Sequence, residues 1–414
     1  MNRLSSSQRA LLQPCIPALL SSRTSLFARL FLAALKRVAV GHLVLLRPDG
    51  EETIYGDPHE APGARLMLLD WRACEAILRA GDIGFAEAYR AGWVDTPDLG
   101  AVLRVALDNE AALSGAIHGA WLSRRWYQLR HLLRRNTRGG SRRNIHAHYD
   151  LGNPFYALWL DETWSYSAAH FDGDSDRPLA EAQEAKYAHI CDVLRLKPGM
   201  HVLEIGCGWG GFALHAARRG VNVYGITISA AQLAKAQARI AQAGCTDRVK
   251  LELRDYRDLE GTYDAIVSIE MFEAVGEAYW PTFFDQISRR LRPGGQAVVQ
   301  SITIDDARFN AYRSSSDFIR EYIFPGGMLP SPERFAQAAG RSGFSSRKVL
   351  DFGRDYAETL RRWREQFEAQ MGAILALGFD DAFIRMWRLY LCYCEVGFDA
   401  GRTDVMQFLL ARRN

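Results

Sequence analysis

The run Val202-Leu203-Glu204-Ile205-Gly206-Cys207-Gly208-Trp209-Gly210-Gly211-Phe212 constrains this chain more than any other. An apolar strand with a glutamate near its end turns through closely spaced glycines and enters a helix. Glycine has no Cβ and tolerates positive φ, so such a turn lets a ligand lie against bare backbone. One rival is the dinucleotide turn G-x-G-x-x-G, with pyrophosphate at the helix N-terminus. Gly206 and Gly208 fit its first pair, but Gly211 is its third glycine only if Gly210 is passed over. Glu204 decides against it: a carboxylate there repels a pyrophosphate and holds a cationic amino group. The bland alternative is an ordinary strand-to-helix turn in an α/β protein.

The next hundred residues have the same build. Residues 221–226 read as a second buried strand, ended by Thr227, and Ser229 is placed to cap the helix that runs through Gln232. Residues 249–255 form a third strand running into Asp255-Tyr256-Arg257, with further strands at 263–269 and 296–304. Strands alternating with helical stretches imply an α/β fold with a doubly wound, Rossmann-like parallel sheet. Ligands of such sheets sit beyond the carboxyl ends of the strands, and Glu204, Thr227, Asp255 and Glu270 all lie at or near such ends.

The glycine turn resembles the first motif of S-adenosylmethionine (SAM) dependent methyltransferases. On that resemblance Glu204 meets the SAM amino group, and Gly206, Gly208, Gly210 and Gly211 line the cofactor. Thr227, Ser229 and Gln232 stand where the ribose is held, and Asp255, Tyr256 and Arg257 stand beside the adenine.

At 414 residues the chain suits two domains. Net charge is +3, which gives no argument for nucleic acid. Seven cysteines without CxxC pairs suit a reducing, cytoplasmic setting and no bound metal. No apolar stretch reaches the ~20 residues of a spanning helix. Arg9 and Arg23 interrupt the apolar runs of 1–24, which read as a variable terminus and not a signal peptide.

Residues 25–116 read as an N-terminal α+β domain, with strands at 41–46, 53–56 and 64–69 and helices near 71–80 and 84–92. Gly81-Asp82-Ile83-Gly84 opens either a helix packed on the core or a segment that holds substrate or a partner subunit. Residues 117–145 change character. Trp121, Leu122, Trp126, Leu129, Leu132 and Leu133 recur at helical spacing among arginines, with no acidic residue. Such a basic amphipathic stretch reads as a membrane-surface element, each cation contributing about 1 kcal/mol at an anionic surface. The alternative is a linker helix packed on the next domain. A catalytic domain then fills 146–414.

From His148-Tyr149-Asp150-Leu151-Gly152-Asn153-Pro154-Phe155-Tyr156 onward the chain resembles cyclopropane-fatty-acyl-phospholipid synthases. Tyr166-Ser167, Met271-Phe272-Glu273-Ala274-Val275-Gly276, Tyr322-Ile323-Phe324-Pro325-Gly326-Gly327, Asp355-Tyr356-Ala357-Glu358 and Cys394-Glu395-Val396-Gly397-Phe398 come in the family's order. The resemblance implies methyl transfer from SAM to a cis double bond in a membrane phospholipid acyl chain. Proton loss then closes a cyclopropane ring. It also implies a peripheral protein at the inner membrane face, facing anionic lipid, and suggests a homodimer.

An alkene is a weak nucleophile, so its site must be dry and must hold it close to the donor methyl. The cation that forms favours aromatic walls, each cation–π contact being worth ~2 kcal/mol when desolvated. Tyr166, Phe171, Tyr322, Phe324 and Tyr356 are the candidates, and Tyr166-Ser167 also belongs to the cofactor motif.

In the family the base is a bicarbonate ion. Carried over by position, its ligands include Glu273, Tyr356 and the Ile302 backbone, while Tyr322 and Cys394 sit in adjoining motifs. Two positions depart from the family: its cysteine is Ala168 and its histidine is Gln300. Gln300 donates a hydrogen bond but cannot shuttle a proton. Glu273 is therefore expected to act as base itself, or to orient a water or a retained bicarbonate. The same cation also leads to a methyl- or methylene-branched chain. Two further classes fit less well. An N- or O-methyltransferase of a soluble molecule has no use for the aromatic residues or the basic stretch. A non-catalytic lipid-binding protein is suggested only by Ala168 and Gln300.

Overall fold

A computed structural model describes residues 25–114 and 151–412. The expectations for 1–24, for the basic stretch 117–145 and for His148, Tyr149 and Asp150 lie outside the described residues.

The front unit is built on four strands: β1 (His42–Leu46), β2 (Glu52–Gly56), β3 (Gly63–Leu68) and the two-residue β4 (Val94–Asp95). Their order is β2-β1-β3-β4. β1 turns back on β2 through Pro48-Asp49-Gly50 and pairs in parallel with β3. Helices Leu26–Leu35, Arg72–Ala80, Asp82–Arg90 and Leu99–Asp108 cover it. The period-2 burial of β3, with Ala64, Leu66 and Leu68 inward, is what a sheet with one covered face requires.

The second sheet holds the five strands expected from the sequence: β5 (His201–Ile205), β6 (Asn222–Thr227), β7 (Val249–Leu253), β8 (Tyr263–Ile269) and β9 (Leu291–Ile304). It adds two that the sequence pattern does not reveal, β10 (Phe344–Asp351) and β11 (Thr403–Arg412). The order is β10-β11-β9-β8-β5-β6-β7. β5 through β9 run parallel, and β11 is inserted antiparallel between β9 and β10. Both faces are covered: Leu203 and Ile205 enter one apolar cluster, and Val202 enters the other. The two added strands are silent for a physical reason. β10 is an edge strand carrying Arg347 and Lys348, and β11 is buried without alternation.

The front unit's core, including Leu45, Leu66 and Val105, is continuous with that of helices Gly353–Ala369 and Asp381–Asp399. Polar contacts stitch this seam. Asp82 Oδ2 accepts from the Phe318 amide (3.0 Å) and the Tyr393 hydroxyl (3.1 Å). Arg385 donates to the carbonyls of Tyr89 and Val94. The Gly81-Asp82-Ile83-Gly84 segment is thus the start of a helix, and it also holds the turn before Ile319–Ile323. Burial and the nearby Asp317 charge push the Asp82 carboxyl up to about 6.

Candidate active site

The glycine turn closes β5 as the sequence requires. Gly206 has φ +86°, and an added Cβ would come within 2.8 Å of Met271 Cγ. Gly211 opens the helix Gly211–Arg218, where a Cβ would meet the Tyr187 hydroxyl at 2.5 Å. Beside the turn, Glu204 is buried and its Oε2 has no hydrogen-bond partner. Burial pushes its carboxyl up to about 8. An orphaned buried acceptor is costly unless a ligand satisfies it, and a cationic amine does so. The residues present therefore fit SAM.

The neighbouring groups are tied to one another. Thr227 Oγ1 donates to Gln232 Oε1 at 3.0 Å, and Ser229 Oγ accepts from the Gln232 amide. Asp255 is clamped by Arg257, Nε to Oδ1 at 2.8 Å and Nη2 to Oδ2 at 2.7 Å.

All of this opens into one cavity of 1120 Å³. That exceeds the ~300–1,000 Å³ of a typical small-molecule pocket and leaves room for a second, long ligand. At one end are Glu204, Gly206, Gly208, Gly211, Thr227, Gln232, Asp255, Tyr256 and Arg257. The middle is lined by Tyr166, Ser167, Glu270, Glu273, Ile302, Tyr356 and Cys394, with Phe324, Tyr390, Tyr393 and Phe398 as aromatic walls. Beyond them the lining passes into the front unit at Leu35, Leu66, Leu78, Val102 and Val105. The Tyr166 and Tyr390 hydroxyls meet at 2.7 Å across the wall.

Five expected residues are not in this lining. Gly210 sits behind the turn at φ +81°, where its added Cβ would touch Ala236, and it is the cap residue just before the helix. Ser229 is spent as the helix cap. Gln300 is fully buried behind Glu270. Tyr322 turns toward the front unit and donates to Glu87 Oε1 at 2.6 Å. Phe171 packs with Ala169 and Ala182 under the Arg362 guanidinium. Aromatic residue type was the only signal for the last two, and it does not distinguish a wall from a core.

The chemical centre is a pair of carboxylates on the loop after β8. Glu273 Oε1 accepts from the Ile302 amide and from Ser301 Oγ at 3.1 Å, while its Oε2 is orphaned. Burial and the charge of Glu270 push Glu273 up to about 8. Glu270 is fully partnered. Its Oε1 accepts from the Ala168 amide (2.8 Å) and Gln300 Nε2 (2.7 Å), and its Oε2 accepts from the Tyr356 hydroxyl (2.8 Å). Burial raises its pKa, and the buried Lys186 ammonium, these donors and the amide oppose that shift. Lys186 Nζ donates to Ser167 Oγ and Gln183 Oε1. Burial lowers Lys186 to about 8, opposed first by Glu270.

Bicarbonate does not fit this arrangement. Of the groups expected to hold it, Tyr356 and Gln300 already serve Glu270, and the Ile302 backbone serves Glu273. The expectation of a retained bicarbonate is corrected on that ground. Glu270 and Lys186 are the residues that sequence reasoning left without a role. Glu270 was visible as an acidic residue at a strand end, but Lys186 gave no signal on its helix Leu179–Val193.

Comparisons with known proteins show the family of this chain. The family model described as mycolic acid cyclopropane synthetase matches residues 136–408. The tuberculostearic acid methyltransferase of Mycobacterium tuberculosis is 40% identical over 89% of this chain and 88% of its own length. The cyclopropane-fatty-acyl-phospholipid synthase of Escherichia coli K12 is 36% identical, over 81% and 85%. Among solved structures, a mycolic acid cyclopropane synthase complexed with SAH and CTAB superposes with a TM-score of 0.60. It is 33% identical, over 65% of this chain and 97% of that one.

Proposed function

Since the chain belongs to the mycolic acid cyclopropane synthetase family and is a SAM-dependent methyltransferase, we propose that it methylates a cis double bond in an unsaturated phospholipid acyl chain. The observation that carries this reading is the single cavity. It joins the orphaned Glu204 carboxylate to an aromatic-walled chamber with two half-buried carboxylates, and then to an apolar extension. When bound, SAM supplies an electrophilic methyl group. Glu204 accepts its amino group, and the glycine turn lets it lie against the backbone. The chamber excludes water from a weak nucleophile and surrounds the resulting cation with tyrosine and phenylalanine rings. The apolar lining of the extension suits an acyl tail.

Ring closure to a cyclopropane accords with the family description and the Escherichia coli relative. A methyl- or methylene-branched product is the second reading. It is favoured by the departures Ala168 and Gln300 behind the chamber and by the 40% identical relative named for tuberculostearic acid. The enzyme works as a peripheral protein at the cytoplasmic membrane face, where the positive charge of 117–145 favours anionic lipid, and pairs as a homodimer. Among the described residues no helix is long and apolar enough to cross a membrane.

The test is mass spectrometry and proton NMR of lipids from cells that express the chain. A gain of one CH₂ on monounsaturated chains is expected, and upfield ring protons separate a cyclopropane from a branch. Unchanged lipids in the presence of folded protein would refute the reading.

A further inference from the structure

We propose that Glu270 is the built-in anion of this active site: it fills the cradle expected to hold bicarbonate, faces the cationic acyl chain and accepts its proton. The inference rests on the acyl-methylation reading above.

Three observations carry it. First, the cradle is complete and its donors converge on one side chain. The Ala168 amide, Gln300 Nε2 and the Tyr356 hydroxyl reach Glu270 at 2.7–2.8 Å. The two departures from the family are part of this fit. At 300 a neutral amide donates where the family has histidine, and at 168 the backbone N–H serves without a cysteine side chain.

Second, Glu270 stands at φ +48°. A non-glycine residue in the left-handed region costs free energy, and such strain gathers at functional sites. Glycine would hold this turn more easily, so the carboxylate is kept for something other than the backbone.

Third, the two carboxylates differ in what surrounds them. Glu270 has three donors and a buried ammonium nearby, which favour its charged form. Glu273 has an orphaned oxygen and the Glu270 charge beside it, which favour its neutral form. Two carboxyls pushed apart in this way divide the acid and base roles. Both carboxyls are raised by burial, but only in Glu270 do three donors and an ammonium oppose that shift. Glu270 is therefore the better placed of the two to accept a proton, and Glu273 to keep one.

The step balances. The alkene pair forms a bond to the donor methyl as the methyl–sulfur bond breaks. The electron pair of that broken bond stays on the sulfur of the departing S-adenosylhomocysteine, and a cation is left on the adjacent carbon. A C–H bond of the added methyl then breaks. Its electron pair closes the ring, or forms a C=C bond after a hydride shift, and the proton goes to Glu270. No external anion or oxidant enters.

The experiment uses the full chain, SAM and vesicles of dioleoyl phosphatidylglycerol, with buffers stripped of bicarbonate. Wild-type turnover should be unchanged by adding bicarbonate. Glu270→Gly, which relieves the positive φ, should bind SAM normally and lose at least about 100-fold in turnover. It leaves three donors facing a void, so formate or bicarbonate should restore activity saturably, while Glu270→Gln should stay inactive. In parallel, ¹³C-formate titrated by NMR should bind Glu270→Gly saturably and the wild type not at all. That arm needs no turnover, so it decides for Glu270 even if no lipid is methylated and the acyl reading fails. Bicarbonate-dependent wild-type turnover, full activity of Glu270→Gly without added anion, or formate binding equally to both proteins would overturn the inference.

Discussion

Glu204, buried, and Glu270, half-buried, are glutamates at the carboxyl edge of one sheet, and they are opposites. Glu204 has an oxygen that nothing in the protein satisfies, and Glu270 has a donor for each of its oxygens. An unsatisfied buried acceptor is a socket for a cation that arrives from outside. A satisfied one is a charge the protein carries itself. The donor end of the cavity is therefore unfinished without SAM, whereas at the acceptor end Glu270 is already satisfied and only its neighbour Glu273 keeps an orphaned oxygen.

The largest effect that could break this contrast is the loss of turnover in Glu270→Gly, with its rescue by formate. Next is Glu204→Gln, which removes a charge-assisted hydrogen bond. SAM affinity measured by calorimetry should fall about 10- to 100-fold. An unchanged affinity would mean that Glu204 is not the socket. The same residue sets a pH dependence. With a pKa near 8 when unliganded, Glu204 must release its proton to pair with an ammonium. SAM affinity should therefore rise from about pH 6 to about pH 7.5, and Glu204→Gln should be flat over that range. In the SAM-free protein, Glu204 and Glu273 are raised from 4.5 to about 8, so the unfolded chain holds fewer protons across that window. Stability measured by urea unfolding should fall as pH climbs from about 4.5 toward 8.

Glu273→Gln sharpens the comparison between the carboxylates. If Glu273 is neutral at pH 7, the amide imitates it and kcat should fall no more than about tenfold. A loss as deep as that of Glu270→Gly would return the base role to Glu273. Smaller effects lie along the seam with the front unit. Asp82→Ala strands the Tyr393 hydroxyl and the Phe318 amide and should cost about 2–3 kcal/mol in urea unfolding. Tyr322→Phe removes its bond to Glu87, with a loss of about 1 kcal/mol and no change in SAM affinity.

Much of the fold was legible because the parallel strands are short, apolar and punctuated by glycine. The SAM end was legible for a similar reason: its residues cluster within a few positions of three strand ends, from Glu204 to Arg257. The acceptor end was not, because it is assembled across long sequence separations. Ala168 lies 102 residues from Glu270, and Tyr356 lies 86. β11 escaped because a strand buried on both faces does not alternate. Tyr322 and Phe171 were misplaced because ring burial has no direction in a linear pattern.

The sequence by itself determined the glycine turn, the strand–helix alternation of β5 to β9 and the acidic residue beside that turn. These arise from local sterics and from short-range periodicity. Only the tertiary structure decided which carboxylate is held by three donors and which keeps an orphaned oxygen. It also decided that the cavity runs on into the front unit. Hydrogen-bond satisfaction inside a low-dielectric interior belongs to groups that meet only on folding, and residue type alone does not say which of them will meet.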